Sequence, residues 1–120
     1  MRTLLVIDDE PQMRLLVQSA LHAVGYRVLT AASGKEGFRL LDDQIVNLVL
    51  VDILMPGMDG LVLIRRLCSA RPTSKIIAMS AGTGEWNYLH VAKQLGAHAT
   101  LQKPFGLQEL LEAVRSQLPT

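Results

Sequence analysis

Cysteine is almost missing: Cys68 is the only one among 120 residues. No intramolecular disulfide can form, so a reducing cytoplasmic compartment is expected. Between Leu67 and Ser69 the lone thiol is expected to act as a small apolar residue on the inner side of a helix. Long apolar runs are missing too, and nothing approaches the roughly 18 residues of a membrane-spanning helix. The run Leu4-Leu5-Val6-Ile7 stops at Asp8-Asp9-Glu10, too early and with the wrong charge for a signal peptide. Basic runs are absent: 12 Lys and Arg against 11 Asp and Glu leave a net charge of +1, which argues against nucleic acid as a direct ligand. With no repeat, linker or low-complexity tract, residues 1–120 are expected to form one domain.

What is present is a regular alternation. Apolar residues make up 49% and charged residues 19%, the balance of a folded globular chain. Leu4-Leu5-Val6-Ile7 suits a strand buried on both faces. Pro11 opens a helix whose inner face is expected at Met13, Leu16, Val17, Ala20, Leu21 and Val24, with Gly25 as its stop. Arg27 to Ala31 form a strand. Ser33 and Glu36 have capping-box spacing ahead of Phe38 and Leu41, in a helix that fades near Asp42-Asp43. Leu48-Val49-Leu50-Val51 is a third strand and ends at Asp52. Leu61, Ile64, Leu67 and Cys68 mark a helix that ends before Pro72, and Lys75 to Ser80 form a fourth strand. A helix with Leu89, Ala92 and Leu95 stops at Gly96, and Ala99 to Gln102 form a fifth strand ending at Lys103-Pro104. Leu107, Leu110, Leu111, Val114 and Leu118 share one face of a last helix. Five βα units imply an α/β fold, a doubly wound parallel sheet with right-handed crossovers.

In such a sheet the C-terminal strand ends share one edge, the edge at which ligands bind. Polar residues stand at four of these ends: Asp8 and Asp9, Asp52, Ser80 and Lys103. Each alone has a plain explanation; Asp8-Asp9-Glu10, for instance, suit a helix N-terminus. Plain explanations do not account for the set. Only the strand ending at Ala31-Ala32 lacks such a residue, as expected of a strand at the sheet edge. Converging carboxylates repel one another unless a cation joins them, and hard oxygen donors with open positions suit Mg²⁺. Lys103 adds a point charge suited to a phosphoryl oxygen. Together these residues describe phosphoryl chemistry with a carboxylate nucleophile.

Four segments now carry a resemblance: VIDDE at 6–10, LVDILMPGMDG at 50–60, MSAG at 79–82 and LQKPF at 101–105. Across essentially its whole length the chain resembles a response-regulator receiver domain of bacterial two-component signalling, the chemotaxis-regulator type included. The resemblance implies a flavodoxin-like (βα)5 fold with strand order 2-1-3-4-5. It implies that Asp52 accepts a phosphoryl group from a sensor histidine kinase or phosphotransfer protein, with Mg²⁺ as cofactor. Asp9 would ligate the ion directly and Asp8 mainly through water, with Asp52 and the Leu54 carbonyl completing the protein ligands. Ser80 and Lys103 would bind phosphoryl oxygens, and the Lys103-Pro104 peptide would be cis. The surface that changes would be the fourth and fifth helices with the strand between them. Such a protein is a monomer or weak dimer and a switch rather than an enzyme, catalysing only its own phosphorylation and slow dephosphorylation. It is either a stand-alone receiver or a receiver cut from a longer regulator.

The chain departs from the family pattern in places. Thr100 stands where many receivers carry Tyr or Phe, so either the switch uses other groups, with His98 and Trp86 or Tyr88 as candidates among which the sequence does not select, or coupling to the last helix is weaker. Trp86 and Tyr88 follow a glycine-rich connection, and His98 is expected at the surface. Leu54 and Gly82, two residues past Asp52 and Ser80, offer no side-chain hydrogen bond to an attacking water, so slow self-dephosphorylation is expected. Three competitors fit less well. An Mg²⁺-dependent phosphatase with an aspartyl nucleophile would carry that nucleophile in an Asp-x-Asp on the first strand. A flavodoxin relative would not place Asp8-Asp9-Glu10 against a cofactor phosphate. A receiver-like module that binds partners without phosphorylation would not need all the active-site residue types present here.

Overall fold

A computed structural model describes residues 1–55, 58–81 and 88–119, with the side chains of Met55, Met58, Asp59 and Tyr88 outside the description. Its main sheet has five parallel strands, here β1 (Thr3–Ile7), β2 (Arg27–Ala31), β3 (Leu48–Asp52), β4 (Lys75–Ser80) and β5 (Ala99–Gln102). Their order is β2-β1-β3-β4-β5. The helices are α1 (Pro11–Ala23), α2 (Gly34–Asp43), α3 (Gly60–Ala70), α4 (Tyr88–Gln94) and α5 (Leu107–Gln117). This is the flavodoxin-like order expected, with β2 at an edge.

Both faces of the three central strands are apolar because both are covered. Leu4, Val6, Leu48, Leu50, Ile77 and Met79 pack with Val17 and Leu21 of α1 and Leu110 and Val114 of α5. Their alternates Leu5, Ile7, Val49, Val51, Ile76 and Ala78 pack with Leu41 of α2, Ile64 of α3 and Ala92 of α4. Three residues expected to face inward do not: Leu16 and Leu107 are each 60% exposed, and Val24 is 42% exposed. At about 100° per residue, the α1 stripe centred on Val17 and Leu21 carries Leu16 onto its flank. Leu107 occupies the first turn of α5, beyond the strand ends. Val24 lies past the end of α1 and is also exposed.

Helix ends follow the local chemistry. Gly25 has φ 101°. The Gly25 and Tyr26 N–H groups donate to the His22 and Leu21 carbonyls, the paired bonds of a Schellman motif. At α2 the Ser33 hydroxyl accepts from the Glu36 N–H at 3.2 Å. The Glu36 carboxylate accepts from the Ala32 N–H, one residue before the cap. Downstream of β3, Leu54–Met55 and Met58–Asp59 pair as a short antiparallel ribbon that the sequence pattern does not announce.

His98 is exposed, as expected, yet it is tied to the sheet. Its N–H donates to the Ile76 carbonyl at 2.8 Å, and its Nδ1 accepts the Ile76 N–H at 3.0 Å. The ring nitrogen thus supplies a ladder acceptor just before β5 begins. Burial, then the charge of Lys75, push the imidazole below its ordinary 6.5. The folded chain therefore favours the neutral ring, and this contribution is complete above 6.5 and lost as pH falls through the lower folded value. The melting temperature of the wild type is expected to drop more on acidification than that of His98→Asn, which keeps an acceptor and cannot titrate. Parallel pH profiles would contradict this role.

Candidate functional site

Strand register brings the polar ends together. Ile7 lies opposite Val51, so Asp8 leaves β1 level with Asp52 at the end of β3. Asp52 in turn lies opposite Met79, which puts Ser80 one residue further along β4. Ser80 lies opposite Gln102, and Lys103 follows at once. Its N–H donates to the Ser80 carbonyl at 2.8 Å, fixing where the long side chain departs. The Lys103-Pro104 peptide is cis.

The side chains then converge. The Lys103 ammonium donates to Asp8 Oδ2 at 2.7 Å and to Asp52 Oδ2 at 3.1 Å. Each carboxylate has its other oxygen held by a backbone N–H two residues on. Glu10 donates to Asp8 Oδ1 at 2.9 Å, and Leu54 donates to Asp52 Oδ1 at 3.0 Å. Asp8 is 0% exposed, Asp52 6% and Lys103 8%; Asp9 is exposed. Ser80 is fully buried at the neighbouring strand end. Three carboxylates, from Asp8, Asp9 and Asp52, offer oxygens that all lie within 4.8 Å of one another. One ammonium does not balance them, so the cluster keeps a surplus of negative charge.

Titration follows from this crowding. Burial pushes the Asp52 carboxyl above its ordinary 3.8; the Leu54 N–H and Lys103 oppose the shift, and the charge of Asp8 adds to it. Burial alone pulls the Lys103 ammonium down, but the hydrogen bond to Asp8 and the charges of Asp52 and Asp8 outweigh it and hold it above 10.5. The donor set fits a small hard cation: carboxylate oxygens only, surplus negative charge, and one exposed member through which an ion can enter with its waters.

Of the residues singled out in the sequence, Asp8, Asp9, Asp52 and Lys103 meet directly, and Leu54 joins them through its backbone N–H. Thr100 lies half-buried on β5 opposite Ala78, short of the cluster. Gly82 and Trp86 lie outside the described residues, as does the side chain of Tyr88. Two contributors are not singled out by the sequence. The Arg14 guanidinium donates to the Asp8 carbonyl at 2.7 Å from one turn inside α1. Gly60 abuts the backbone of Ile53, the residue after Asp52. A glycine opening an apolar helix was the only hint of that contact.

Fold and site together define an α/β protein whose buried carboxylates and lysine sit at the C-terminal edge of a five-stranded parallel sheet. Residues 4–115 match the family model of the response regulator receiver domain, and the chain belongs to that family. It is 32% identical over 116 residues to sporulation initiation phosphotransferase F of Bacillus subtilis, covering 97% of this chain and 93% of that one. It is 35% identical over 116 residues to the DNA-binding transcriptional regulator NtrC of Azospirillum brasilense, covering 97% of this chain but only 24% of that protein. Among solved structures, a CheY-like receiver domain protein from Methanospirillum hungatei superposes with a TM-score of 0.91 at 29% identity, over 98% of this chain and 94% of that one. The response regulator TrrA of Thermotoga maritima, in complex with Mg²⁺ and BeF, gives 0.86 at 31% identity, over 98% and 100%. Receiver domains are generally signalling switches rather than enzymes. Among the described residues no helix is long and apolar enough to cross a membrane.

Proposed function

We propose that residues 1–120 act as a single phosphorylation-dependent switch in which Asp52 is the phosphoacceptor. The observation that carries this is the state of its carboxylate: buried at a strand end, one oxygen tied to the Leu54 N–H and the other to Lys103. A carboxylate oxygen attacks the phosphorus of a phosphohistidine on a sensor kinase or phosphotransfer protein. The new O–P bond forms as the P–N bond breaks, and the departing imidazole takes up a proton. The Lys103 ammonium, shared between Asp8 and Asp52 beforehand, is in reach of a phosphoryl oxygen on Asp52, and the hydroxyl of Ser80, buried at the neighbouring strand end, would donate to another. Mg²⁺, held by Asp8, Asp9, Asp52 and the Leu54 carbonyl, would supply positive charge against the remaining phosphoryl oxygens.

The acyl phosphate biases a two-state equilibrium of the surface formed by α4, β5 and α5, which binds a downstream protein partner. With Thr100 on β5 instead of an aromatic ring, that coupling runs through other groups. Direct contact with nucleic acid is not part of the function, and the working compartment is the cytoplasm. The phosphatase alternative needs its nucleophile in an Asp-x-Asp at the end of β1, where this chain carries Asp8-Asp9-Glu10 instead.

NMR spectra recorded with Mg²⁺ and beryllofluoride test the switch. Shifts are expected around Asp52 and across α4, β5 and α5 in the wild type, and none in Asp52→Asn; a silent wild type overturns the proposal. Because apolar Leu54 gives water no side-chain partner, Leu54→Asn is expected to speed loss of the phosphoryl group severalfold. Release of inorganic phosphate from phosphorylated protein measures this, and an unchanged rate removes Leu54 from the account.

A further inference from the structure

A groove of about 720 Å³ runs between α2 and α3, on the side of the sheet away from α1 and α5. The α3 residues that line it, Val62, Arg65, Arg66, Ser69 and Ala70, follow the spacing i, i+3, i+4, i+7, i+8. That is a second stripe of the helix, beside the buried one at Leu63, Ile64 and Leu67. It extends for about 12 Å at the rise of an α-helix. From α2 come Phe38 and Asp42. The lining therefore combines apolar Phe38, Val62 and Ala70 with basic Arg65, Arg66 and Arg71 and one acid, Asp42.

The charges are not balanced within the groove. Asp42 is already matched by Arg71 at 2.8 Å. Arg65 and Arg66 form no ion pair among the described residues, and both are exposed. The Arg66 guanidinium lies 4.6 Å from the centroid of the Phe38 ring, a cation–π contact that limits its freedom before any partner arrives. A guanidinium held in this way is well suited to a carboxylate, which it can grip with two parallel N–H bonds. Next to it Val62 is 54% exposed, an aliphatic surface with nothing of this chain over it among the described residues.

We propose that this groove is a docking site for an acidic amphipathic segment of a partner protein, separate from the Asp52 site. Its apolar side chains cover Phe38, Val62 and Ala70, and its carboxylates pair with Arg65 and Arg66. The walls of the groove stand open to solvent, with the Asp42 side chain 72% exposed and that of Arg71 35%, which suits a length of polypeptide better than a small ligand that needs enclosure. Two unmatched arginines beside a carboxylate are also too few for a nucleic-acid backbone, where affinity grows with every phosphate neutralised. An amphipathic helix of about two turns matches the length and the i, i+3, i+4 character of the surface.

The probe is a synthetic helical peptide with leucine at i, i+3, i+4 and i+7 and glutamate elsewhere, together with a twin in which lysine replaces every glutamate. Titrations are followed by fluorescence anisotropy and by amide shifts of the unphosphorylated protein. The acidic peptide is expected to move the amides of Phe38, Val62, Arg65 and Arg66. Its affinity is expected to fall more than about tenfold in Arg65→Glu and severalfold in the milder Arg65→Gln and Arg66→Gln. Arg115→Glu on α5, across the sheet, and Asp52→Asn are expected to bind as the wild type does. Because Asp52→Asn is included, failure of the docking site is distinguishable from failure of the phosphoacceptor reading. Equal binding of the lysine twin, shifts confined to other faces, or undiminished affinity in the arginine variants would each overturn the proposal.

Discussion

Lys103→Met is expected to cost on the order of 3–5 kcal/mol of folding stability at neutral pH, because it strands two buried carboxylates without their shared counter-charge. Asp8 is 0% exposed and Asp52 6%, and both contact the ammonium within 3.1 Å. The Arg71–Asp42 pair is equally short, but its side chains are 35% and 72% exposed. Breaking that pair is expected to cost about 1 kcal/mol or less, since water screens it. A domain stability of about 5–15 kcal/mol makes the first loss large and the second small. The Lys103 contribution is complete below its ordinary 10.5 and is lost only as pH rises through its still higher folded value. In Lys103→Met the deficit should shrink on acidification, as protons take the place of the ammonium. Adding Asp52→Asn to Lys103→Met should recover part of the loss. Urea denaturation of the single and double variants measures all of this. A loss under 1 kcal/mol in Lys103→Met would mean that solvent reaches the cluster.

Gly60→Ala is the second large effect. A Cβ at this position would lie 2.2 Å from the Ile53 Cα and 2.6 Å from its carbonyl oxygen. These are backbone atoms of a residue only 3% exposed, so no side-chain rotation can relieve the clash. The cost is expected to reach or exceed the upper end of the about 1–3 kcal/mol usual for overpacking. Gly37→Ala provides the contrast. Its Cβ would meet the Ile7 Cδ1 at 2.6 Å, the tip of a side chain that can turn aside, so a smaller loss is expected. Since Ile53 adjoins Asp52, Gly60→Ala should also slow phosphorylation, whereas Gly37→Ala should leave it near the wild-type rate. Equal thermal stability of the two variants would contradict the close approach.

Much of this site was legible because its signal is local. Where a buried strand ends, the apolar run stops, and the stops at Asp8, Asp52, Ser80 and Lys103 name the residues; parallel topology then assembles them. Helix and strand positions were legible for the same reason, since 3.6- and 2-residue patterns persist where an element packs on one or two faces. What stayed hidden depends on distances between elements. Lys103 is expected as a charge for a phosphoryl oxygen; that it also spans from Asp8 to Asp52, while the three carboxylates keep surplus charge for a cation, is not. Strand spacing and side-chain reach decide that, and neither is written in a motif. The approach of Gly60 to Ile53, the bond from Arg14 to the Asp8 carbonyl and the use of the His98 ring as a ladder acceptor are of the same kind. Leu16 and Leu107 misled because apolar spacing marks a stripe but not its margin.

Asp52 links stability to function. Its carboxyl lies above 3.8 in the folded chain, so its ionised form costs stability once pH rises through the folded value. Asp52→Asn should therefore melt higher than the wild type at neutral pH, with the gain fading toward 3.8. A residue that weakens the fold where it stands fits the phosphoacceptor role proposed for it. Phosphoryl incorporation from a small phosphoryl donor, followed by intact mass with the modified residue mapped, is the most direct measurement of that chemistry. The expected result is one phosphoryl group on Asp52, dependent on Mg²⁺ and absent in Asp52→Asn; incorporation that persists in Asp52→Asn, or none in the wild type, would contradict it.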